Sequence, residues 1–346
     1  MRAPSPRALI LLATVAALTG VATLVLAPEP AATSQTGPGV QLLDDARRAA
    51  EEQDFSGVLE VTWSDASGQH NSDVFVRSAN GVLALGDRPS VIVEGARRFV
   101  EGPNGWLAVW SQETKPDVPP ASDKWELSVH AGPTVAGRPT QELDATDRHH
   151  DKVRERLYVD ESTSLLLRRE QLDTRGRTVR AVGFTSIGEP SGALTGALPA
   201  QAPTAPARSA SRQPQIRHGV AAPFRAPGAT GDRFQLVGRY DEAHSTLHLF
   251  YSDGLYGVSV FEQKGDLDPT GLPAGAEPRT VAGRDVRQYQ TPGGVVMVWQ
   301  SDDVVYTTVS DAPVDQLDQV LADFGPSPSP NALDRVTNFV LGPFSW

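Results

Sequence analysis

Cysteine is absent from the 346 residues. That excludes disulfides, thiolate metal sites, thiol nucleophiles and lipid attachment at a lipobox cysteine. The usual catalytic signatures are missing too: no serine sits in G-x-S-x-G, there is no H-E-x-x-H, and no Walker or dinucleotide glycine motif opens a helix. Lysine is scarce beside arginine, and the formal net charge is −11, which argues against nucleic acid as a partner. The nearest approach to a metal cluster is His149 and His150 between Asp147 and Asp151. These lie in a polar stretch that reads as a solvated loop, and neighbours on an extended chain face opposite ways, so no metal is expected. His244 and His248 flank a strand start and read as surface or sheet residues. No cofactor and no enzymatic activity are expected.

What is present begins with Arg2 and Arg7, then an uncharged run from Ala8 to Ala27, with Glu29 as the next charge. A positive start followed by an apolar segment is the layout of an export signal. The run approaches the ~20 residues that span a bilayer as a helix, so cleaved signal and retained anchor both stand. Either places the protein outside the cytoplasm, in the periplasm or cell envelope, and an anchor would associate it with the cytoplasmic membrane. Residues 1–37 are then signal or anchor plus spacer.

Composition divides the remainder. Residues 190–231 are rich in Pro, Ala and Ser and contain no acidic residue, which marks an extended linker whose end, Ala222 to Ala226, can dock on a domain. Residues 38–189 open with Leu42, Leu43, Ala46, Ala49 and Ala50 at helical spacing, and short apolar stretches separated by turn residues follow. Residues 232–325 show the same succession of short strands and turns. There Asp253-Gly254 between two β-prone runs marks a hairpin, and Val314, Leu317, Val320, Leu321 and Phe324 form the stripe of a closing helix with Asp311 as N-cap. Residues 326–346 form a tail with a short amphipathic helix. The fold class is mainly β (α+β), an antiparallel sheet or open barrel with a smaller antiparallel sheet domain behind it. Thr134 to Arg138 and Thr280 to Arg284 share the sequence Thr-Val-Ala-Gly-Arg, which a common turn geometry explains.

With chemistry absent, apolar residues carry the functional candidates. Phe55, Trp63, Phe75, Phe99, Trp106 and Trp110 are spread over strands of the first domain, where an ordinary core or an apolar lipid cavity would use them equally well. Phe250, Tyr251, Leu255, Tyr256 and Phe261 surround the hairpin of the second. Alternation should expose at least two of these five, making a partner surface the alternative to core packing.

Three stretches carry a family resemblance: Asp54-Phe55-Ser56-Gly57-Val58; the run Val153 to Asp160 with Leu165 to Glu170; and above all Leu249 to Phe261, LFYSDGLYGVSVF. Together they resemble the RseB/MucB family of sigma-E regulatory proteins, across both domains but not the linker. The resemblance implies an N-terminal domain like the lipoprotein carrier LolA, an open antiparallel β-barrel with plugging helices, and a smaller C-terminal sheet domain. It also implies binding to the extracytoplasmic part of a membrane anti-sigma factor and control of that partner's proteolysis. The alternative it implies is a carrier or sensor of lipid or lipoprotein. A longer linker, the tail and the potential anchor depart from the Gram-negative pattern.

Overall fold

The computed structural model describes residues 37–79, 81–86, 91–94, 97–102, 105–111, 118–189, 224–242 and 246–324. The export segment, the linker up to residue 223 and the tail from 325 lie outside them. Helix α1 (Pro38–Glu52) comes first, with Pro38 in the opening turn where its missing N–H costs nothing. One antiparallel sheet follows, made of β1 (Phe55–Asp65), β2 (Gly68–Ala79), β3 (Val82–Leu85), β4 (Val91–Glu94), β5 (Arg97–Gly102), β6 (Gly105–Ser111), β7 (Trp125–Ala131), β8 (Thr140–Asp147), β9 (Lys152–Asp160), β10 (Leu166–Leu172) and β11 (Thr178–Gly188). Its order is β6-β5-β4-β3-β2-β1-β11-β10-β9-β8-β7, and among the described residues the two end strands do not pair, so the sheet is not closed into a barrel.

A second antiparallel sheet contains β12 (Ala229–Thr230), β13 (Phe234–Glu242), β14 (Thr246–Ser252), β15 (Gly257–Lys264), β16 (Glu277–Val281), β17 (Arg284–Thr291), β18 (Gly294–Ser301) and β19 (Val304–Ser310), in the order β12-β13-β14-β15-β19-β18-β17-β16. Helix α2 (Val314–Asp323) closes it, with Leu317, Val320 and Leu321 buried and Phe324 sealed behind them. Phe224 and Ala226 from the end of the linker pack on this core, and the Arg225 amide donates to Glu262 at 2.8 Å.

Hydrophobic alternation fixes which face of the first sheet is inside. Phe55, Leu59 and Val61 of β1 are buried, and their register neighbours include Val182 and Phe184 of β11. Cross-strand partners share a face. Two rows can therefore be followed across the sheet: Val61, Val182, Arg169, Leu157, Leu143, and beside it Trp63, Arg180, Gln171, Glu155, Ala145, Leu127. Helix α1 lies on this face and buries Leu43, Ala46, Ala49 and Ala50 against it. Gly39 permits the approach, since a Cβ there would stand 2.6 Å from the Cβ of Leu127.

Several elements differ from the sequence reading. Strand β8 was not expected, because TQELDATD has no β-branched run; its alternation is carried by Thr140, Leu143, Ala145 and Asp147, all buried. The closing helix starts at Val314 with Pro313 as N-cap and no side-chain cap, so Asp311 is not the cap. Its carboxylate is committed to Arg169 and to the Gly257 amide. The repeated pentapeptide does mark one turn made twice: Ala136 and Gly137, and Ala282 and Gly283, all have positive φ inside Val135–Arg138 and Val281–Arg284 pairs.

Candidate functional site at the seam between the two sheets

The hairpin that joins β14 to β15 is longer than a two-residue turn. Ser252 pairs with Gly257, which leaves Asp253, Gly254, Leu255 and Tyr256 as the connection. Asp253 holds the turn by accepting from the amides of Leu255 at 3.0 Å and Tyr256 at 2.8 Å, an Asx arrangement. Ser252 adds a second brace: its hydroxyl accepts from the Gly254 amide and donates to the Tyr256 carbonyl. Gly254 has φ +89°, and a Cβ on it would lie 2.4 Å from the Pro119 carbonyl oxygen. This turn is driven into the first sheet.

Around the turn, groups from both sheets interlock. The other oxygen of Asp253 accepts from Trp125 Nε1 at 3.1 Å and from Arg233 Nε at 2.8 Å. Arg233 also donates to Asp147 at 2.7 Å, and its guanidinium lies 4.4 Å from the Trp125 ring centroid. Burial alone would raise the Asp147 pKa, but Arg233 and the amide of His149 hold it below the usual carboxylate range. Asp147 is thus an ion-pair partner, with His149 and His150 closing a turn over it. From α1, Arg47 donates to the Gly254 carbonyl at 2.7 Å.

A second cluster lies on the row of inward polar residues. Arg169 pairs with Glu155 and, at 3.1 Å, with Asp311, while the Tyr256 hydroxyl donates to Glu155. Burial drives the Tyr256 hydroxyl well above its ordinary pKa, so it remains a donor. Gln171 donates to the Asp311 carbonyl at 2.7 Å. At the edge, Arg154 grips Asp315 of α2 with two bonds of 3.0 and 2.7 Å. One apolar cluster runs through all of this, joining Leu43, Trp125, Leu143 and Leu157 to Phe234, Tyr251, Val260, Trp299 and Phe324.

The residues singled out from sequence are therefore distributed as follows. Phe250, Tyr251, Leu255 and Tyr256 are buried and Phe261 is half-buried, so the expected exposure of at least two of them does not occur. The physical reason is the turn: Leu255 and Tyr256 belong to it and not to β15, so alternation does not apply, and the first sheet covers them. Tyr251 packs on Phe324, and Phe261 stacks on His248. Among the cavity candidates, Phe55 is buried edge-on to Phe184 at 5.8 Å, and Trp63 is half-buried against His70. Phe75 pairs with Val58, which places it on the opposite face from Phe55 and Trp63, so the six residues do not line one cavity. Phe99 lies on β5, and Trp106 and Trp110 on β6; their side chains lie outside the described set. Arg169, Gln171 and Arg180 belong to no sequence motif; the signal for them is that polar residues in phase with buried Leu167 and Val182 require a polar contact on that face.

Residues 76–203 match the family model of the MucB/RseB N-terminal domain. Over these residues the chain is similar to the MucB/RseB family. The MucB/RseB match takes in Trp125, Glu155, Arg169 and Arg180 of the seam. Among solved structures, the complex of MucA and MucB from Pseudomonas aeruginosa is similar at 19% identity and a TM-score of 0.43, covering 82% of this chain and 97% of that one. A crystal structure of MucB is similar at 16% identity and a TM-score of 0.43, over 84% and 99% of the two chains. The LolA superfamily protein NE2245 from Nitrosomonas europaea follows at 10% identity and a TM-score of 0.20, over 82% and 97%. No curated protein matches the chain in sequence.

Proposed function

We propose that this protein is a regulatory binding protein on the outer side of the cytoplasmic membrane, where it holds the extracytoplasmic domain of an anti-sigma factor and masks that partner's cleavage site. The observation that carries this reading is the MucB/RseB domain match over residues 76–203. MucB itself is recorded in complex with MucA. The mechanism needs no chemical step: a bound segment is withheld from a protease by steric exclusion, and residues 8–27, where retained as an anchor instead of cleaved as a signal, would keep the protein beside a membrane partner and raise their effective concentration. The seam supports this role by joining both units into one surface, with the hairpin turn of LFYSDGLYGVSVF as its inner fastening. The lipid alternative gains nothing from the described inner face, where Phe55, Leu59 and Val61 are buried in one apolar cluster with Ala49 of α1.

The test is a protection assay. Purified residues 37–346 are added to the extracytoplasmic domain of a single-pass anti-sigma protein from the same cell, together with the protease that cuts it. Cleavage should slow at least tenfold at saturating concentration. Unchanged cleavage of a partner that does bind would remove the shielding role while leaving the binding role.

A further inference from the structure

The end of the linker is strapped to the second unit at a few named points. Phe224 and Ala226 are half-buried against its core, and the Arg225 amide donates to Glu262 Oε2 at 2.8 Å. The Tyr251 hydroxyl donates to the Pro227 carbonyl and the Leu236 amide to the Gly228 carbonyl, both at 2.9 Å. Just beyond, the Thr230 hydroxyl and the Gly231 amide donate to Asp323 of α2 at 2.9 and 2.8 Å. Gly228, between the two sets of bonds, is exposed, and a Cβ built on it would meet nothing within 4 Å. Residues 224–228 thus have a pivot at which the strap can lift while the Asp323 clip keeps β12 in place.

Glu262 is the anchor that a proton can alter. It is buried, and among the described residues its other oxygen, Oε1, has no hydrogen-bond partner. A sealed, unpaired carboxylate oxygen is costly while the group is charged and much less so once it is neutral. Burial raises the Glu262 pKa to about 7, against the Arg225 amide and the charges of Arg225 and of Arg239 on β13, which favour the ionised form. Tyr251 of β14 and Tyr306 of β19 face the same carboxyl, and burial pushes both hydroxyls up, that of Tyr306 to about 12, so they stay protonated donors. Asp323 acts in turn on Tyr251, and Asp302 and Arg284 on Tyr306. Lifting the strap would rehydrate Glu262 and return it towards its ordinary 4.5. The docked strap therefore holds the proton more tightly than the lifted one, so docking strengthens as pH falls from 7 towards 4.5 and weakens as pH rises through 7.

We propose that residues 224–228 form a proton-operated latch: uptake of a proton by Glu262 closes the strap on the second unit, and loss of that proton loosens it. The latch rests on contacts within one unit, so it stands or falls separately from the anti-sigma reading. The test is amide hydrogen exchange of the full chain between about pH 6 and about pH 8, with each rate corrected for the intrinsic rate at that pH. Protection of the Arg225 amide should fall by about threefold or more across this range, since a group titrating near 7 changes docking by up to about tenfold per pH unit. At every pH Arg225 should be about tenfold or more less protected than the Met297 amide in the core strand β18, which marks its opening as local. Glu262→Gln, with no proton to lose, should keep Arg225 protection constant over the same range. A smaller fall at Arg225, equal protection of Arg225 and Met297, or an undiminished fall in Glu262→Gln would each overturn the latch. The pH series on the unaltered protein decides the matter alone if the variant does not fold.

Discussion

His248 and Glu262 sit on neighbouring strands and respond to acid in opposite senses. His248 is stacked on Phe261 at 4.2 Å between ring centroids, and burial holds its pKa down to about 3 from 6.5. The native imidazole is therefore neutral where the unfolded one is charged, so His248 costs stability as pH falls from 6.5 towards 3. Burial raises Glu262 from 4.5 to about 7, so the native state holds a proton that the unfolded state lacks, and this adds stability as pH falls from 7 to 4.5. Each slope is limited to about 1.4 kcal/mol per pH unit, and the two offset one another between about 4.5 and 6.5. Urea denaturation of Glu262→Gln should show a loss relative to the native protein that grows as pH falls from 7 to 4.5. His248→Leu should show the reverse, a relative gain that continues below pH 4.5. Parallel pH profiles for native protein and variants would contradict both assignments. Neither shift is legible in the sequence, because burial of a strand residue depends on what a distant segment lays over it.

At the scale of elements, the turn from Asp253 to Tyr256 is where sequence reasoning both succeeds and fails. Asp-Gly between β-prone runs correctly marks a hairpin, but the dipeptide does not reveal that two further residues complete the connection or that a second sheet covers it. Asp253→Asn keeps the shape and removes the charge that Arg233 faces, and should destabilise the protein by about 3 kcal/mol, as breaking one side of a buried ion pair does. Gly254→Ala meets both the positive φ and the Pro119 carbonyl, and should cost about 2 kcal/mol or more. Thermal unfolding reads both; a change below about 0.5 kcal/mol, typical of an uninvolved surface site, would contradict the fastening role. Helices α1 and α2 were legible from their apolar stripes. Strands β8 and β16 were not, since one is polar in composition and the other, with Pro278, is an edge strand.

For the molecule as a whole, the contacts that matter most join residues far apart in the chain: Arg169 with Asp311, Arg154 with Asp315, Trp125 with Asp253. Periodicity tells which face of a strand is inside but not what covers it, so two sheets were readable and their seam was not. The family match takes in Val153 to Asp160 and Leu165 to Glu170, whereas LFYSDGLYGVSVF lies outside it; within that stretch Tyr256 fastens the seam from within. Because one apolar cluster runs through both units, denaturation should follow a single cooperative transition, and Asp253→Asn should separate it into two. Two transitions in the native protein would contradict a continuous core. Binding of an anti-sigma factor by the joined units is read by calorimetric titration of residues 37–346 with the purified extracytoplasmic domains of the cell's single-pass anti-sigma proteins. Saturable one-to-one binding of one of them, at a Kd of about 1 μM or tighter (about −8 kcal/mol), is the predicted result. Absence of binding to every one of them would contradict it.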